Sequence, residues 1–92
     1  MNKYIAIIEK STMRVLEVLS NESESLIAMA SYNGKVTRAR APEEVARAYS
    51  NGKEIYAHTD WRGVPGPYGM YNEKVIKYTI KSGGEIGGVK ES

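Results

Sequence analysis

Alternating apolar positions predict most of the strands. Lys3 to Glu9 is apolar on both alternating faces, which is typical of a central strand. Residues 13–19 follow a short polar turn and predict a second strand that pairs with the first as a hairpin. Residues 35–41 and 54–59 predict two further strands, and residues 73–81 the last. In the last strand Ile76, Tyr78 and Ile80 point inward, while Lys77, Thr79 and Lys81 point outward.

Capping residues predict two helices between these strands. Asn21 is an N-cap with Glu24 three residues later, and Leu26, Ile27, Met29 and Ala30 follow as one apolar face. This helix ends at Asn33-Gly34. The second helix starts after Pro42, buries Val45, Ala48 and Tyr49, and ends at Asn51-Gly52.

The element order is therefore β-β-α-β-α-β-β. It predicts a small α+β domain over residues 1–82, in which two short helices pack on one mixed, mostly antiparallel sheet. Residues 83–92 are rich in glycine and predict a flexible C-terminal tail.

Composition narrows the class of protein. A chain of 92 residues has a small core, so oligomerisation would help it, and we expect a homo-oligomer. There is no Cys, hence no disulfide framework, and the apolar run near the N-terminus is too short to span a membrane. We expect a cytoplasmic protein. The net charge of +2 does not by itself indicate nucleic acid, but four of the five Arg lie between residues 38 and 62.

The stretch HTDWRGVPGPYGMYN, residues 58–72, concentrates the unusual chemistry. It holds the only His, the only Trp and two of the three Pro, and it predicts a long, stiffened loop between two strands. Stacking rings, a guanidinium and glycine backbone suit an anionic nucleotide-type ligand. The predicted ligand-binding residues are Arg38, Arg40, His58, Asp60, Trp61, Arg62, Gly63, Tyr68, Gly69 and Tyr71. In the alternative interpretation, Trp61 caps the small core and the prolines only shape the turn.

Catalytic and metal sites are not indicated. His58 and Asp60 lie two residues apart, so an oriented imidazole base is conceivable, but no Ser or Thr is placed to complete a triad. One His and no Cys do not suit zinc, and no glycine fingerprint for phosphate or dinucleotide cofactors occurs. We therefore expect no catalytic residues, no metal and no cofactor.

Residues 42–55 (PEEVARAYSNGKEI), followed by Trp61, Gly63 and Gly69-Met70-Tyr71, resemble the small phage Thoeris anti-defence proteins. The likeness covers residues 42–71. It implies a non-catalytic oligomer that sequesters a nucleotide-derived immune signal. Arg62 stands where the pattern has a polar amide residue, and residues 1–41 have no counterpart.

Three functions therefore stay open. The first is a non-enzymatic protein that holds an anionic, nucleotide-like ligand. The second is a protein-binding inhibitor or adaptor, because Trp, Tyr and Arg dominate the energetics of interfaces. The third is a nucleic-acid-binding module, which requires Arg38, Arg40, Lys53, Lys77 and Lys81 to share one face.

Overall fold

The structure is a computed structural model that describes the backbone of residues 3–81 and 84–90 and the side chains of residues 3–81. Its elements are β1 (Tyr4–Glu9), β2 (Val15–Leu19), α1 (Glu22–Ala30), β3 (Val36–Ala41), α2 (Glu43–Ser50), β4 (Ile55–Gly66), β5 (Gly69–Ile80) and β6 (Gly84–Lys90). The α+β class and the order of the first seven elements are confirmed.

The strands form two three-stranded sheets, not the single mixed sheet that the sequence predicted. Sheet A has the order β2-β1-β3 and sheet B the order β4-β5-β6, and every pairing is antiparallel. The two sheets join where Ala57 N–H donates to the Met13 carbonyl at 2.8 Å. Arg14, the residue before β2, forms one isolated bridge with Tyr56 of β4, and among the described residues the two ladders are otherwise separate.

Strand β1 is the centre of the fold, as its pattern predicted. Ile5 and Ile7 belong to an apolar cluster on one face of sheet A, and Ala6 and Ile8 to a larger cluster on the other. Because successive side chains of a strand point to opposite faces, a strand buried on both faces must be apolar throughout.

Helix α1 covers the face of sheet A that carries Ile5 and Ile7. Its predicted N-cap is confirmed, since Asn21 Oδ1 accepts a hydrogen bond from Glu24 N–H at 2.8 Å. The predicted apolar face is wrong in part: Leu26 is 56% and Ile27 74% exposed. The helix instead turns Ser25 toward the sheet, and this buried hydroxyl donates to the Glu22 carbonyl at 2.7 Å.

The residues after α1 also return to sheet A. The Tyr32 hydroxyl donates to Glu17 Oε2 of β2 at 2.6 Å, and this bond raises the pKa of Tyr32 to about 12. Asn33 and Gly34 have φ of 52° and 77°, the left-handed conformation that the Asn-Gly pair predicted.

Helix α2 packs into the larger cluster. Val45 and Ala48 are buried as predicted, whereas Tyr49 is 39% exposed. The inward side chains of sheet B complete this cluster: Ile55, Ala57, Ile76 and Tyr78. Tyr78 is fully buried, and its hydroxyl donates to the Arg40 carbonyl of β3 at 2.7 Å, a second link between the two sheets.

Strand β6 occupies most of the segment for which the sequence predicted a flexible tail. Its backbone pairs with β5 from Ile80 back to Val75. The long β5 offers a free ladder edge there, which the segment fills despite its glycines. Residues 82, 83, 91 and 92 lie outside the described part of the chain, and the predicted division at residue 82 stays a prediction.

Candidate functional site

The candidate site is a protruding β-hairpin. Strands β4 and β5 pair without interruption from Ile55–Ile80 to Gly66–Gly69, and only Pro67 and Tyr68 form the turn. The long loop predicted for residues 58–72 is therefore wrong. The described residues of β6 pair with β5 as far as Val75, and among them residues 61–74 form a two-stranded extension. We call residues 61–74 the hairpin arm.

The two faces of the hairpin differ in chemistry. One face begins in the core with Ile55, Ala57, Ile76 and Tyr78 and continues outward along the arm. We call its exposed continuation the inner face of the arm; it consists of Trp61, Gly63, Pro65, Met70, Asn72 and Lys74. The outer face of the arm consists of Arg62, Val64, Gly66, Tyr71 and Glu73. Alternation along paired strands assigns each residue to its face.

The inner face is apolar and open to solvent. Trp61 is 61% and Met70 71% exposed, and Tyr68 at the turn is fully exposed. The hairpin therefore leaves three large apolar or aromatic side chains in contact with solvent. The alternative interpretation, in which Trp61 caps the core, does not fit this exposure.

Side chains lie across two glycines of the arm, and only at Gly66 does the contact require a glycine. A Cβ on Gly66 would lie 2.7 Å from Cδ1 of Tyr71, so the Tyr71 ring covers this residue on the outer face. A Cβ on Gly63 would lie 3.5 Å from Cε of Met70, which is ordinary contact. Gly69 has φ of 111°, a conformation that the turn requires and that other residues rarely adopt.

The free edge of β4 is poorly suited to pairing with another strand. The Ala57 N–H points away from β5, so the odd-numbered residues that follow also point their backbone groups outward. Of these, Trp61 N–H already donates to Asp60 Oδ1 at 2.8 Å, and Pro65 has no N–H. This edge therefore offers few backbone groups to which another strand could pair.

Charges beside and on the outer face are paired within the hairpin. Arg62 Nη2 lies 2.7 Å from Glu73 Oε2, directly across the ladder, and Lys77 Nζ lies 3.0 Å from Asp60 Oδ2. The pKa of the Asp60 carboxyl is lowered below its usual value. The hydrogen bond from the Trp61 N–H is the largest single cause, and the interaction with Lys77 is the next. The guanidinium predicted to bind an anion thus has a carboxylate partner in the same hairpin.

His58 and Asp60 do share a face, as predicted, but they do not form a pair suited to proton transfer. The Asp60 carboxylate is engaged by Trp61 N–H and Lys77 Nζ. Among the described residues no group of three His, Asp or Glu side chains could hold a metal ion. The absence of an enzymatic role stays a prediction.

Arg38 and Arg40 do not join the residues of the hairpin. They lie on β3, on the face of sheet A that α1 covers, because they pair with Ile7 and Ile5 of β1. Arg38 Nη1 contacts Glu22 Oε1 at 3.2 Å and Ser25 Oγ at 3.3 Å. The ten predicted residues are thus divided between two faces of the hairpin, its turn and the other sheet.

The basic residues required for a nucleic-acid face are also separated. Arg38 lies against α1 on sheet A, whereas Lys77 lies on β5 of sheet B and Lys81 directly follows that strand. Lys81 Nζ lies 3.2 Å from Glu54 Oε2. The other oxygen of this carboxylate, Oε1, accepts a hydrogen bond from the Tyr56 hydroxyl. Three of the five residues, Arg38, Lys77 and Lys81, are thus paired with carboxylates.

A separate open cleft of about 470 Å³ lies where β2 ends between the two helices. Tyr4, Leu19 and Tyr49 contribute apolar surface to it, and Glu24 contributes a carboxylate. Arg47 lies in the same cleft and pairs with Glu43 at 3.1 Å. None of the residues predicted for the site lines it.

No protein-family model matches the chain, and neither a curated protein nor a solved structure shows a significant match to it. The resemblance to the Thoeris anti-defence proteins therefore stays a prediction. Within the described residues, no helix is long and apolar enough to cross a membrane.

The sequence did not indicate that Trp61, Pro65 and Met70 lie on the same face. They do so because Pro65 pairs with Met70, and Trp61 with Lys74, in the β4–β5 register. The sequence did not predict this pairing, because the glycines and prolines of the segment are typical of loops. The two prolines and Gly69 were the residues from which a hairpin turn could have been predicted.

Proposed function

We propose that the chain is a non-enzymatic protein-binding module that docks through the inner face of its hairpin arm. The observation that carries this proposal is the exposure of Trp61 and Met70 on an ordered surface that continues a core face. Trp and Met are enriched in protein interfaces, and Trp is the most frequent energetic hot spot.

A nucleotide-like ligand, the first function considered from the sequence, receives less support. Small-molecule sites are concave and bury most of their ligand, whereas the arm is a two-stranded extension with exposed faces. Trp61 and Arg62, the ring and cation meant to act together, point to opposite faces, and Arg62 is paired with Glu73.

Nucleic acid is also less suited to this surface. Binding to phosphates needs several cations on one face that can replace condensed counterions. On the arm, Arg62 is paired with a carboxylate of its own hairpin, and so is Lys77 at its base. An apolar face with little net charge suits a protein surface better.

A face-selective photo-crosslinking experiment tests the proposal. Met70 and Tyr71 are adjacent, 71% and 53% exposed, and lie on opposite faces, so they form a matched pair. A photoreactive phenylalanine analogue at position 70 should give discrete protein adducts in cell extract, and the same analogue at position 71 should give several-fold less. Trp61→Ala should remove the adducts from position 70. Equal labelling from both positions, or none from either, contradicts the proposal.

A further inference from the structure

The hairpin arm lacks a covering layer. Two-stranded hairpins are marginally stable in water and need a third strand or a packed face. The described residues of β6 pair with β5 as far as Val75, and Trp61 and Met70 on the inner face are exposed. A partner surface against the inner face would supply the missing layer.

The inner face is self-complementary about Gly63. The uncovered surface extends from the exposed Thr59 to Pro67 at the turn. Gly63 lies four residues from each of these ends, so Gly63 and its ladder partner Asn72 are at the middle of the surface. Trp61 and Pro65 flank Gly63 at equal distances of about 7 Å, one on each side. A two-fold rotation about the Gly63–Asn72 pair therefore exchanges the position of Trp61 with that of Pro65.

We infer that the inner face binds a second copy of this chain, with the two arms packed face to face and antiparallel. This inference rests on the proposed function and names its partner. The rotation places Trp61 of each copy on Pro65 of the other, and the stem of Lys74 on Met70. Gly63 and Asn72 meet their own counterparts at the axis, where the absence of a side chain on Gly63 lets the arms approach closely.

The size of the surface is consistent with a dimer. At the exposures of Trp61 and Met70, the six residues of the inner face present on the order of 600 Å² per copy. Two copies would bury about 1,200 Å², the lower end of specific interfaces. The two Lys74 ammonium groups would lie about 13 Å apart, beyond the Debye length of about 8 Å at physiological salt, so their repulsion is small.

Sedimentation equilibrium gives the first test. We expect a dimer with a dissociation constant on the order of 10 μM, as befits an interface of this size. Trp61→Ala should raise that constant about 30-fold, whereas Tyr71→Ala on the outer face should change it less than about threefold. Because Trp61 is the only Trp, its emission should also shift to shorter wavelength as the dimer forms.

A charge-swap experiment at the axis identifies the partner. Asn72→Lys and Asn72→Asp each place two like charges against one another, so each variant alone should be monomeric. An equimolar mixture of the two should restore the dimer. Circular dichroism confirms that each variant is folded, and the exposed position of Asn72 makes both changes compatible with the hairpin.

The outcomes separate this inference from the proposed function. A wild-type chain that stays monomeric at about 500 μM, or a dimer unaffected by either Asn72 variant, overturns the face-to-face pairing. Photo-crosslinks from position 70 to a different protein, with none to a second copy, would overturn it too while leaving the protein-binding function intact.

Discussion

The loss in free energy of unfolding on replacement of Trp61 by Ala tests whether Trp61 is exposed on the arm or packed in the core. Trp61 is 61% exposed, so roughly 100 Å² of its surface is covered. At about 25 cal/mol per Å² this area corresponds to at most about 2.5 kcal/mol. The unfolded chain already covers part of the same surface, so we expect a loss of about 1 kcal/mol in the free energy of unfolding.

Tyr78→Ala is the matched control, because Tyr78 lies on the same face of the same hairpin but is fully buried. That change should cost about 3–5 kcal/mol, a large part of the 5–15 kcal/mol typical of a domain. Urea unfolding must be followed by far-UV circular dichroism, since Trp61→Ala removes the only Trp.

Protein concentration must be low in this experiment. If only folded chains dimerise, dimerisation adds to the apparent free energy of unfolding. The difference between wild type and Trp61→Ala should then grow as concentration rises. A loss of about 3 kcal/mol or more at the lowest concentration would show that Trp61 is part of the core. In that case both the docking surface and the dimer would lose their basis.

Three further changes test local features of the fold. Asn21→Ala should lower the free energy of unfolding by about 1 kcal/mol, measured by urea unfolding, because it removes the side-chain cap of α1. Gly66→Ala should cost about 1–3 kcal/mol by displacing the Tyr71 ring, which Tyr71→Ala should partly relieve, while Gly63→Ala should be tolerated. The pKa of Tyr32 in the folded protein is about 12, above its ordinary value, because its hydroxyl donates to a carboxylate. This hydrogen bond therefore stabilises the fold fully below about pH 10, and the stabilisation is lost as pH rises through about 12. Tyr32→Phe should remove this alkaline loss of stability, and absorbance at high pH should show one late-titrating phenol fewer.

The elements that sequence patterns predicted well are those with a strong, single physical cause. β1 is apolar on both faces because it is the central strand of sheet A, and its boundaries were nearly correct. α1 begins where Asn21 can accept from Glu24 N–H. The inward positions Ile76 and Tyr78 of β5 are buried as their alternation predicted.

Predictions failed where tertiary contacts decide between local alternatives. In α1 the apolar Leu26 and Ile27 suggested the buried side, but Ser25 faces the sheet because its hydroxyl has partners in the Glu22 carbonyl and Arg38. No spacing rule distinguishes a polar residue that finds such partners from one that faces solvent. Likewise, nothing local shows that the strands divide into two sheets joined by the Tyr78–Arg40 hydrogen bond.

The hairpin arm escaped prediction for a reason that also bears on its function. A strand is recognised from sequence when one face is buried and the other solvated, because burial imposes the alternation. Neither face of the arm is packed in the core, so burial does not impose an alternation, and Gly63, Pro65 and Gly66 interrupt the pattern that Trp61 and Arg62 begin. What keeps the arm extended is cross-strand pairing, the Arg62–Glu73 ion pair and the Gly69 turn. The exposed apolar residues of the arm therefore contribute little to the stability of the isolated chain, and the proposed dimer would bury them.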